Sequence, residues 1–261
     1  MIKTEYTIIA PVNFTIALVT DLHEYNPEAV LKILKEVKPD VIAIAGDTLE
    51  RHEYGENLDK CDQSAISRLI CSGIHLADKF LKKAEYWKKR DICAENSYRL
   101  LQEAADIAPV VMSLGNHELY LTREDRRVME QAGIHLLDNS SVEIKGILFG
   151  GLTSKQLTGE FDKEFLEDFS ACSSYKVLLS HHPEYYDYLR NFDIDLVLAG
   201  HCHGGQIRVK DRGLFAPGQG LFPKYHHGIY DRMIVSAGTA NTASIPRWGN
   251  QCEVVVVNLN G

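Results

Sequence analysis

The sequence predicts an α/β protein, and three observations lead to that prediction. Several short, nearly continuous apolar runs are typical of strands that are covered on both faces. Segments with apolar residues at helical spacing separate some of these runs. The first strand, helix and strand follow one another within about thirty residues, the length of a βαβ unit, which makes both strands parallel. Polar residues that follow parallel strands should therefore meet at one edge of the sheet, where open α/β sheets bind ligands.

The first βαβ unit is expected within the first fifty residues. Apolar runs at 14–19 and 41–45 predict its two strands. Between them, segment 26–37 begins with Asn-Pro-Glu, which is typical of an N-cap, a first helical position and an acidic first turn. Its buried stripe of alanine, valine, isoleucine and leucine completes the pattern of an amphipathic helix.

Segment 50–108 differs in character from the rest of the chain. It is rich in lysine, glutamate and aspartate, and its apolar residues recur at helical spacing. Two or three helices are expected, either as a partial lid over a site or, equally well, as a solvated layer on the sheet. We treat residues 1–261 as a single domain with a helical insertion at about 50–108.

The remaining elements are predicted by the same criteria. Strands are expected at 110–114, 134–137, 142–145, 147–150, 176–179, 195–198, 233–237 and 253–259. Helices are expected at 122–132, where Thr122 to Asp125 resembles a capping box, at 160–169, and briefly around 185–189. Residues 213–228 are rich in glycine, proline and aromatic side chains, which is typical of a loop.

Composition excludes several classes of protein. The apolar and charged fractions, 45% and 25%, are those of an ordinary globular chain, so disorder is not expected. A net charge of −8 argues against broad binding to nucleic acid. The six cysteines form no CxxC pair, so neither a disulfide framework nor a zinc knuckle is indicated. No apolar run is long enough to span a bilayer and no signal peptide is visible, so a cytoplasmic protein without a membrane span is expected. No pattern indicates an oligomeric state.

Two histidines, His201 and His203, follow the apolar run at 195–199 and precede two glycines. In an extended backbone, side chains at i and i+2 point the same way, so we expect both imidazoles to face one metal ion. Two satisfied histidines at a strand end are the alternative. Asp21 and His23 repeat the spacing after the first strand. The same expectation therefore applies to that pair.

Polar residues also follow the other buried strands. They are Asp47, Asn116 with His117, and His181. The five blocks resemble the pattern of the calcineurin-like metallophosphoesterases, D-x-H, GD, GNH(D/E), H and GHxH, in that order from about residue 14 to 203. The run GHCHGGQI and a later Pro-Arg pair are similar to the bacterial small phosphohydrolases of that superfamily.

The resemblance implies a four-layer α/β/β/α sandwich with two mixed β-sheets and a pair of divalent cations. By similarity, the ligands of one cation are Asp21, His23, Asp47 and His203, and those of the other are Asp47, Asn116, His181 and His201. The shared aspartate offsets the repulsion between two cations about 3.5–4 Å apart. Manganese, iron, zinc, nickel and magnesium are all candidate metals, since affinity order and cellular supply decide occupancy.

The resemblance further implies hydrolysis of phosphomonoesters or phosphodiesters by a metal-bridging hydroxide. His117 would protonate the leaving oxygen rather than bind metal. Glu50 either orients His117 or pairs with a lysine or arginine on the surface. The expected partner is a small phosphorylated substrate. An inactive metal-binding regulatory or scaffold module of the same fold is the alternative, and a nuclease of the superfamily is disfavoured by the acidic charge.

Five further residues are candidate parts of the site. Alternation along the strand is expected to turn His182 away from the metals. Arg247, Tyr225, His226 and His227 could contact a phosphate or the leaving group, although packing is the more common role of aromatic loop residues.

Overall fold

The computed structural model describes residues 1–51, 92–118, 120–154, 159–241 and 246–261 and contains two large mixed sheets. In spatial order the first sheet comprises β1 (Ile2–Ile9), β16 (Glu253–Asn260), β2 (Phe14–Val19), β3 (Val41–Ala45), β4 (Val110–Ser113) and β5 (His135–Leu137). Neighbours are parallel except β16 and β2, which are antiparallel. The carboxyl ends of β2, β3 and β4 therefore lie side by side.

The second sheet supplies the other strand ends of interest. In spatial order it comprises β14 (Gly228–Tyr230), β15 (Met233–Val235), β9 (Leu196–Ala199), β8 (Tyr175–Ser180), β7 (Ile147–Leu152) and β6 (Ser140–Ile144). The two edge strands, β14 and β6, pair antiparallel with their neighbours, and the four strands between them run parallel. The carboxyl ends of β8 and β9 are thus adjacent.

Three apolar clusters separate four layers. Side chains of both sheets, including Ile16, Leu18, Phe149, Leu179 and Leu198, form the central cluster. Each such side chain contributes about 1.5–3 kcal/mol on full burial. Helices α1 (Glu28–Val37), α2 (Ala94–Ala105) and α3 (Arg123–Gln131) cover the first sheet, and α4 (Lys163–Ala171) and α5 (Tyr186–Leu189) cover the second. The predicted α/β/β/α sandwich is confirmed.

The predicted capping box is also confirmed. Thr122 Oγ1 accepts a hydrogen bond from Asp125 N at 3.1 Å, and Asp125 Oδ2 accepts one from Thr122 N at 2.8 Å. These two bonds fix the start of α3. Among the residues that the structure describes, no helix is long and apolar enough to cross a bilayer.

Two regions differ from the sequence prediction. Strand β1 was not predicted, because Lys3, Thr4 and Glu5 interrupt its apolar residues in an edge strand that is largely exposed. The predicted loop at 213–228 contains a short strand pair, β12 (Phe215–Ala216) with β13 (Gly220–Leu221). A second short pair, β10 (Arg208–Val209) with β11 (Arg212–Gly213), comes just before it.

The helical insertion lies largely outside the described residues, which omit 52–91. Its described end, α2, packs on α1 and α3 through buried Leu100, Leu101 and Ala104. This helix is part of the layer that covers the first sheet.

Candidate metal centre

The structure brings the polar residues of five strand ends together. Asp21 and His23 follow β2, Asp47 follows β3, Asn116 and His117 follow β4, His181 follows β8, and His201 and His203 follow β9. Because β2, β3 and β4 are neighbours in one sheet and β8 and β9 in the other, their carboxyl ends face each other across the central apolar layer. The topology therefore brings these polar residues together at one edge, as the sequence predicts.

The side chains form overlapping groups of donors. Each group offers ligand atoms within 4.8 Å of one another: Asp21 with His23 and His203, His23 with Asp47 and His117, and Asp47 with His181 and His201. Asp21 and Asp47 are fully or almost fully buried, and so are His23 and His181. Because Asp47 belongs to two groups, its carboxylate lies between the His23 side and the His181 side of the centre.

The distances around Asp47 define the middle of this centre. Its Oδ2 lies 3.0 Å from His181 Nε2 and 3.8 Å from both His23 Nε2 and His117 Nε2. Its Oδ1 accepts a hydrogen bond of 2.9 Å from the backbone N–H of His117. One carboxylate oxygen is thus held by the backbone while the other faces three imidazoles.

The prediction that the His201–His203 and Asp21–His23 pairs lie in extended backbone is wrong. All four residues have positive φ values, 66° and 45° for the histidines after β9, and 56° and 51° for the pair after β2. The chain has left the extended conformation here, and residues 203–205 form a 3-10 turn. Turns in the left-handed region direct these side chains, at a cost of about 1–3 kcal/mol for each non-glycine residue. Such strain is typical of functional sites.

Glycines in the motifs make room for the carboxylates. A Cβ atom on Gly115 would lie 2.1 Å from Asp47 Oδ1, and one on Gly200 would lie 2.7 Å from Asp21 Oδ2. Neither oxygen has space to retreat, because each aspartate is buried. Glycine is therefore required at both positions for the carboxylates to reach the centre.

The donor set fits divalent cations. Several ligand atoms are buried and have no hydrogen-bond partner: His23 Nε2, His181 Nε2, His201 Nε2 and Asn116 Oδ1. Unpartnered buried polar atoms are rare in folded proteins, and each costs about 1–3 kcal/mol. Imidazole nitrogens with carboxylate and amide oxygens are ligands for the first-row divalent metals. Cations between these atoms would satisfy all four.

Hydrogen bonds to the opposite ring nitrogens orient the imidazoles. His181 Nδ1 lies 2.7 Å from the carbonyl oxygen of Ala45, which can only accept, so Nδ1 carries the proton. Glu50 Oε1 lies 2.6 Å from His23 Nδ1, and Oε2 lies 3.0 Å from His117 Nδ1. The Nε2 atoms of all three rings then face Asp47. Such outer contacts fix ring orientation and tautomer in metal sites.

Comparison with known proteins agrees with this geometry. The family profile described as calcineurin-like phosphoesterase matches residues 14–205. The chain belongs to the calcineurin-like phosphoesterase family.

Relatives of this chain include proteins from several bacteria. It is 24% identical over 219 residues to the UDP-2,3-diacylglucosamine pyrophosphatase LpxG of Chlamydia muridarum, with 74% of this chain and 64% of that protein aligned. It is 25% identical over 260 residues to the uncharacterized metallophosphoesterase YkoQ of Bacillus subtilis, covering 90% of this chain and 79% of that one.

Two further comparisons set the extent of the likeness. The chain spans 59% of the length of the Bacillus subtilis protein YpbG, to which it is 28% identical over 160 residues. Among solved structures, the phosphoesterase Yfce from E. coli aligns with a TM-score of 0.39 at 13% identity, over 93% of this chain and 87% of that one.

The electrostatics of the centre favour the binding of positive charge. Burial opposes protonation of His181, but the Asp47 carboxylate raises its pKa to about 9. Burial likewise opposes protonation of His23 and His117, while the neighbouring carboxylates Asp21, Glu50 and Asp47 raise their pKa values. The carboxylates therefore attract cations, and protons on the imidazoles balance the negative charge when metal is absent.

The two histidines after β9 behave differently. Burial lowers the pKa of His203 to about 3 and that of His201 well below its usual value. Neutral imidazoles are the form that binds metal. These two rings therefore need not lose a proton before binding.

Glu118 was not singled out from the sequence, although it is the last residue of the GNHE block. Its buried carboxylate accepts hydrogen bonds from four backbone N–H groups, those of Asp47, Thr48, Leu49 and Gly115, at 2.6–2.9 Å. It thereby joins the turn after β3 to the turn after β4. The acidic last position of the motif was the available indication.

Arg51 fixes the turn after β3 through a second set of contacts. It donates to both carboxylate oxygens of Asp125, at 2.9 and 2.7 Å, and to Glu24 Oε1 at 2.7 Å. Asp125 is fully buried, and Glu24 is nearly so. The network fixes the residue after Glu50, and the Glu50 carboxylate contacts both His23 and His117.

The five additional candidates lie in different surroundings. His182 is buried, lies 2.8 Å from Ser154 Oγ, and packs its ring 4.1 Å from that of His201. Three loop residues have partners away from the centre: Tyr225 donates to Asp187, His226 accepts from the backbone of Gly213, and His227 lies 3.3 Å from Glu253. Arg247 alone among these four loop residues contacts a member of the centre, with Nη2 3.2 Å from His203 Nδ1.

Proposed function

We propose that this chain is a metal-dependent phosphoesterase with a dinuclear centre that hydrolyses phosphomonoesters or phosphodiesters. Asp21, His23 and His203 would hold one cation and Asn116, His181 and His201 the other, with Asp47 shared by both. The observation that carries the proposal is the position of Asp47. Its Oδ2 faces histidines from three strand ends. Four nearby ligand atoms are buried without a hydrogen-bond partner: His23 Nε2, His181 Nε2, His201 Nε2 and Asn116 Oδ1.

The two cations would perform the chemistry that is usual in dinuclear metal sites. When bound, they supply a nucleophile from water at neutral pH and neutralise charge on the phosphoryl oxygens. Neutral imidazoles and one amide leave the pair with net positive charge, which favours a phosphate anion.

His117 is proposed as the catalytic acid. Its side chain is 28% exposed, against 1% or less for His23 and His181, so it is the ring that a substrate can reach. Glu50 Oε2 contacts its Nδ1, so Nε2, on the side of the ring that faces Asp47, is the atom assigned to the leaving oxygen. The Asp47 and Glu50 carboxylates raise the pKa of this ring against the effect of burial, which favours the protonated form that a catalytic acid needs.

Metal content and hydrolysis together test the proposal. The purified chain, stripped and reloaded with Mn²⁺, Fe²⁺, Zn²⁺, Ni²⁺ or Mg²⁺, should bind two cations per chain. It should then hydrolyse p-nitrophenyl phosphate or bis(p-nitrophenyl) phosphate. Asp47→Asn should bind fewer than two cations and lose more activity than the roughly 100-fold typical of changes outside the ligand set.

His117→Ala separates binding from catalysis. We expect two bound cations and a kcat lowered by about 10²–10⁴-fold. The exposed residues Asp106 and His135 provide matched controls, because Asp106→Asn and His135→Ala should change neither property. Full activity in Asp47→Asn or His117→Ala would contradict the proposal. Two bound cations without hydrolysis of any phosphoester would instead support a metal-binding module.

A further inference from the structure

A cavity adjoins the metal centre at the same edge of the first sheet. Strands β1 and β16 begin here, since Ile2 pairs with Glu253, and the antiparallel β2 ends here. The cavity has a volume of about 450 Å³, and we call it the arginine cavity. Its lining residues are Ile2, Arg208, Arg247, Gly249, Asn250 and Gln251.

The two arginines give the cavity positive charge. No carboxylate lines it, and within the described part of the chain neither Arg208 nor Arg247 forms an ion pair with one. Arg208 donates through Nε to the carbonyl oxygen of Gly249 at 3.2 Å, which leaves its terminal nitrogens available. Two guanidinium groups beside one cavity favour an anion, and their planar donor sets match phosphate.

Arg247 carries the connection to the metal centre. Its terminal nitrogens donate to the carbonyl oxygens of Ala237 and Ala240, and one also contacts His203 Nδ1. Its Nε is buried and has no acceptor. A guanidinium with an unsatisfied buried donor, held next to a proposed ligand, is placed to bind a group that extends from the centre into the cavity.

The contact with His203 places the guanidinium beside the centre. Arg247 Nη2 lies 3.2 Å from His203 Nδ1, and His203 Nε2, on the other side of the ring, lies 3.9 Å from Asp21 Oδ1.

We propose that the arginine cavity binds a second phosphate group, so that the preferred substrates are diesters of pyrophosphate. This rests on the proposed phosphoesterase function and names its substrate class. Water provides the oxygen that joins the attacked phosphorus, and the P–O–P bridge breaks. The bridging oxygen leaves with the second phosphorus, which Arg208 and Arg247 hold. The products are two phosphomonoester dianions and two protons, and the arginines stabilise the charge of the leaving phosphate.

Binding of analogues tests the cavity without turnover. With Mn²⁺-loaded protein, isothermal titration calorimetry compares α,β-methylene-ADP, which has two phosphates and no cleavable bridge, with AMP. Wild type should bind the two-phosphate analogue about 10- to 100-fold more tightly, the range expected for charge-assisted hydrogen bonds. Arg208→Met and Arg247→Lys should reduce that ratio at least several-fold. The exposed control Arg126→Met should keep it.

Hydrolysis provides the second comparison. Turnover of ADP-ribose, a pyrophosphate diester, should fall more in Arg208→Met and Arg247→Lys than turnover of bis(p-nitrophenyl) phosphate, which has one phosphate. An unchanged preference in both variants, or an equal loss on both substrates, would overturn the inference. If loaded wild type hydrolyses neither compound, the proposed function fails, while the calorimetric ratio still decides whether the cavity binds the second phosphate. Among the described residues, the Arg208 side chain makes one hydrogen bond, to the carbonyl oxygen of Gly249, so its variant tests the cavity even if Arg247→Lys is unstable.

Discussion

Replacing Glu118 with glutamine should destabilise the protein strongly, although the two side chains have nearly the same shape. Glu118 Oε1 accepts from the backbone N–H groups of Thr48 and Leu49, and Oε2 accepts from those of Asp47 and Gly115. A glutamine can keep one oxygen in place. Its NH₂ group must then face two N–H donors, since all four partners donate.

The magnitude follows from the two lost acceptor contacts. A hydrogen bond to a charged group contributes about 1.5–3 kcal/mol, so two of them give a loss of about 3–6 kcal/mol in the free energy of unfolding. At roughly 2–4 °C per kcal/mol for a chain of this size, Tm should fall by about 6–24 °C. This is a large part of the roughly 5–15 kcal/mol that stabilises a typical domain.

Urea unfolding of metal-free protein, followed by far-UV circular dichroism, measures the effect. The exposed Glu130→Gln variant of α3 serves as control and should change stability by less than about 0.5 kcal/mol. Burial and the nearby Asp47 carboxylate raise the pKa of Glu118, while its backbone hydrogen bonds oppose that rise. A loss below about 1 kcal/mol with an unchanged m-value would refute the reasoning, because it would mean that the group is already protonated and that glutamine replaces it without cost.

Three further predictions concern the centre and its support. Glu50→Gln, which weakens the contacts to His23 and His117, should lower metal affinity or kcat by about 10- to 100-fold, measured by metal titration and steady-state kinetics. Arg51→Met leaves Asp125 buried without its partner and should cost about 3–5 kcal/mol at pH 7 by urea unfolding. Burial opposes ionisation of Asp125, but Arg51 lowers its pKa to about 2, below the value of about 3.9 in the unfolded chain. The stability difference between Arg51→Met and wild type should therefore shrink as the pH falls from 5 towards 2. Chelation of bound metal should lower Tm reversibly. If free metal was present at 100 times Kd, the loss of stability should be about 2.7 kcal/mol. An unchanged Tm would contradict metal binding to the folded state.

Most of the fold was predictable because its strands are buried on both faces. Strands such as Val41–Ala45 and Tyr175–Ser180 are short apolar runs whose burial leaves little choice of side chain. Strand Ile2–Ile9 lies at an edge and alternates charged with apolar residues, so no comparable run marks it. Its position depends on pairing with Glu253–Asn260, at the opposite end of the sequence, and such a contact has no local pattern.

The candidate site was predictable in composition but not in backbone geometry. Residue types and their order at strand ends identified the donors, and the parallel topology brought them together. The positive φ values at Asp21 and His201 could not be inferred, because aspartate and histidine adopt that region only when surrounding contacts enforce it. The contacts that Glu118 and Arg51 make also join residues about seventy positions apart. Their roles follow only from the assembled fold.

The network around these donors implies that the site is shaped before metal arrives. Glu118 ties the turns that carry Asp47 and Asn116 through backbone N–H groups, and Arg51 fixes the segment that carries Glu50. None of these contacts uses a proposed metal ligand atom. Removal of metal should therefore leave the secondary structure intact while the buried carboxylates draw protons onto the neighbouring imidazoles. Metal binding then exchanges protons for cations in a preformed frame, which limits the conformational entropy lost on loading and favours tight binding.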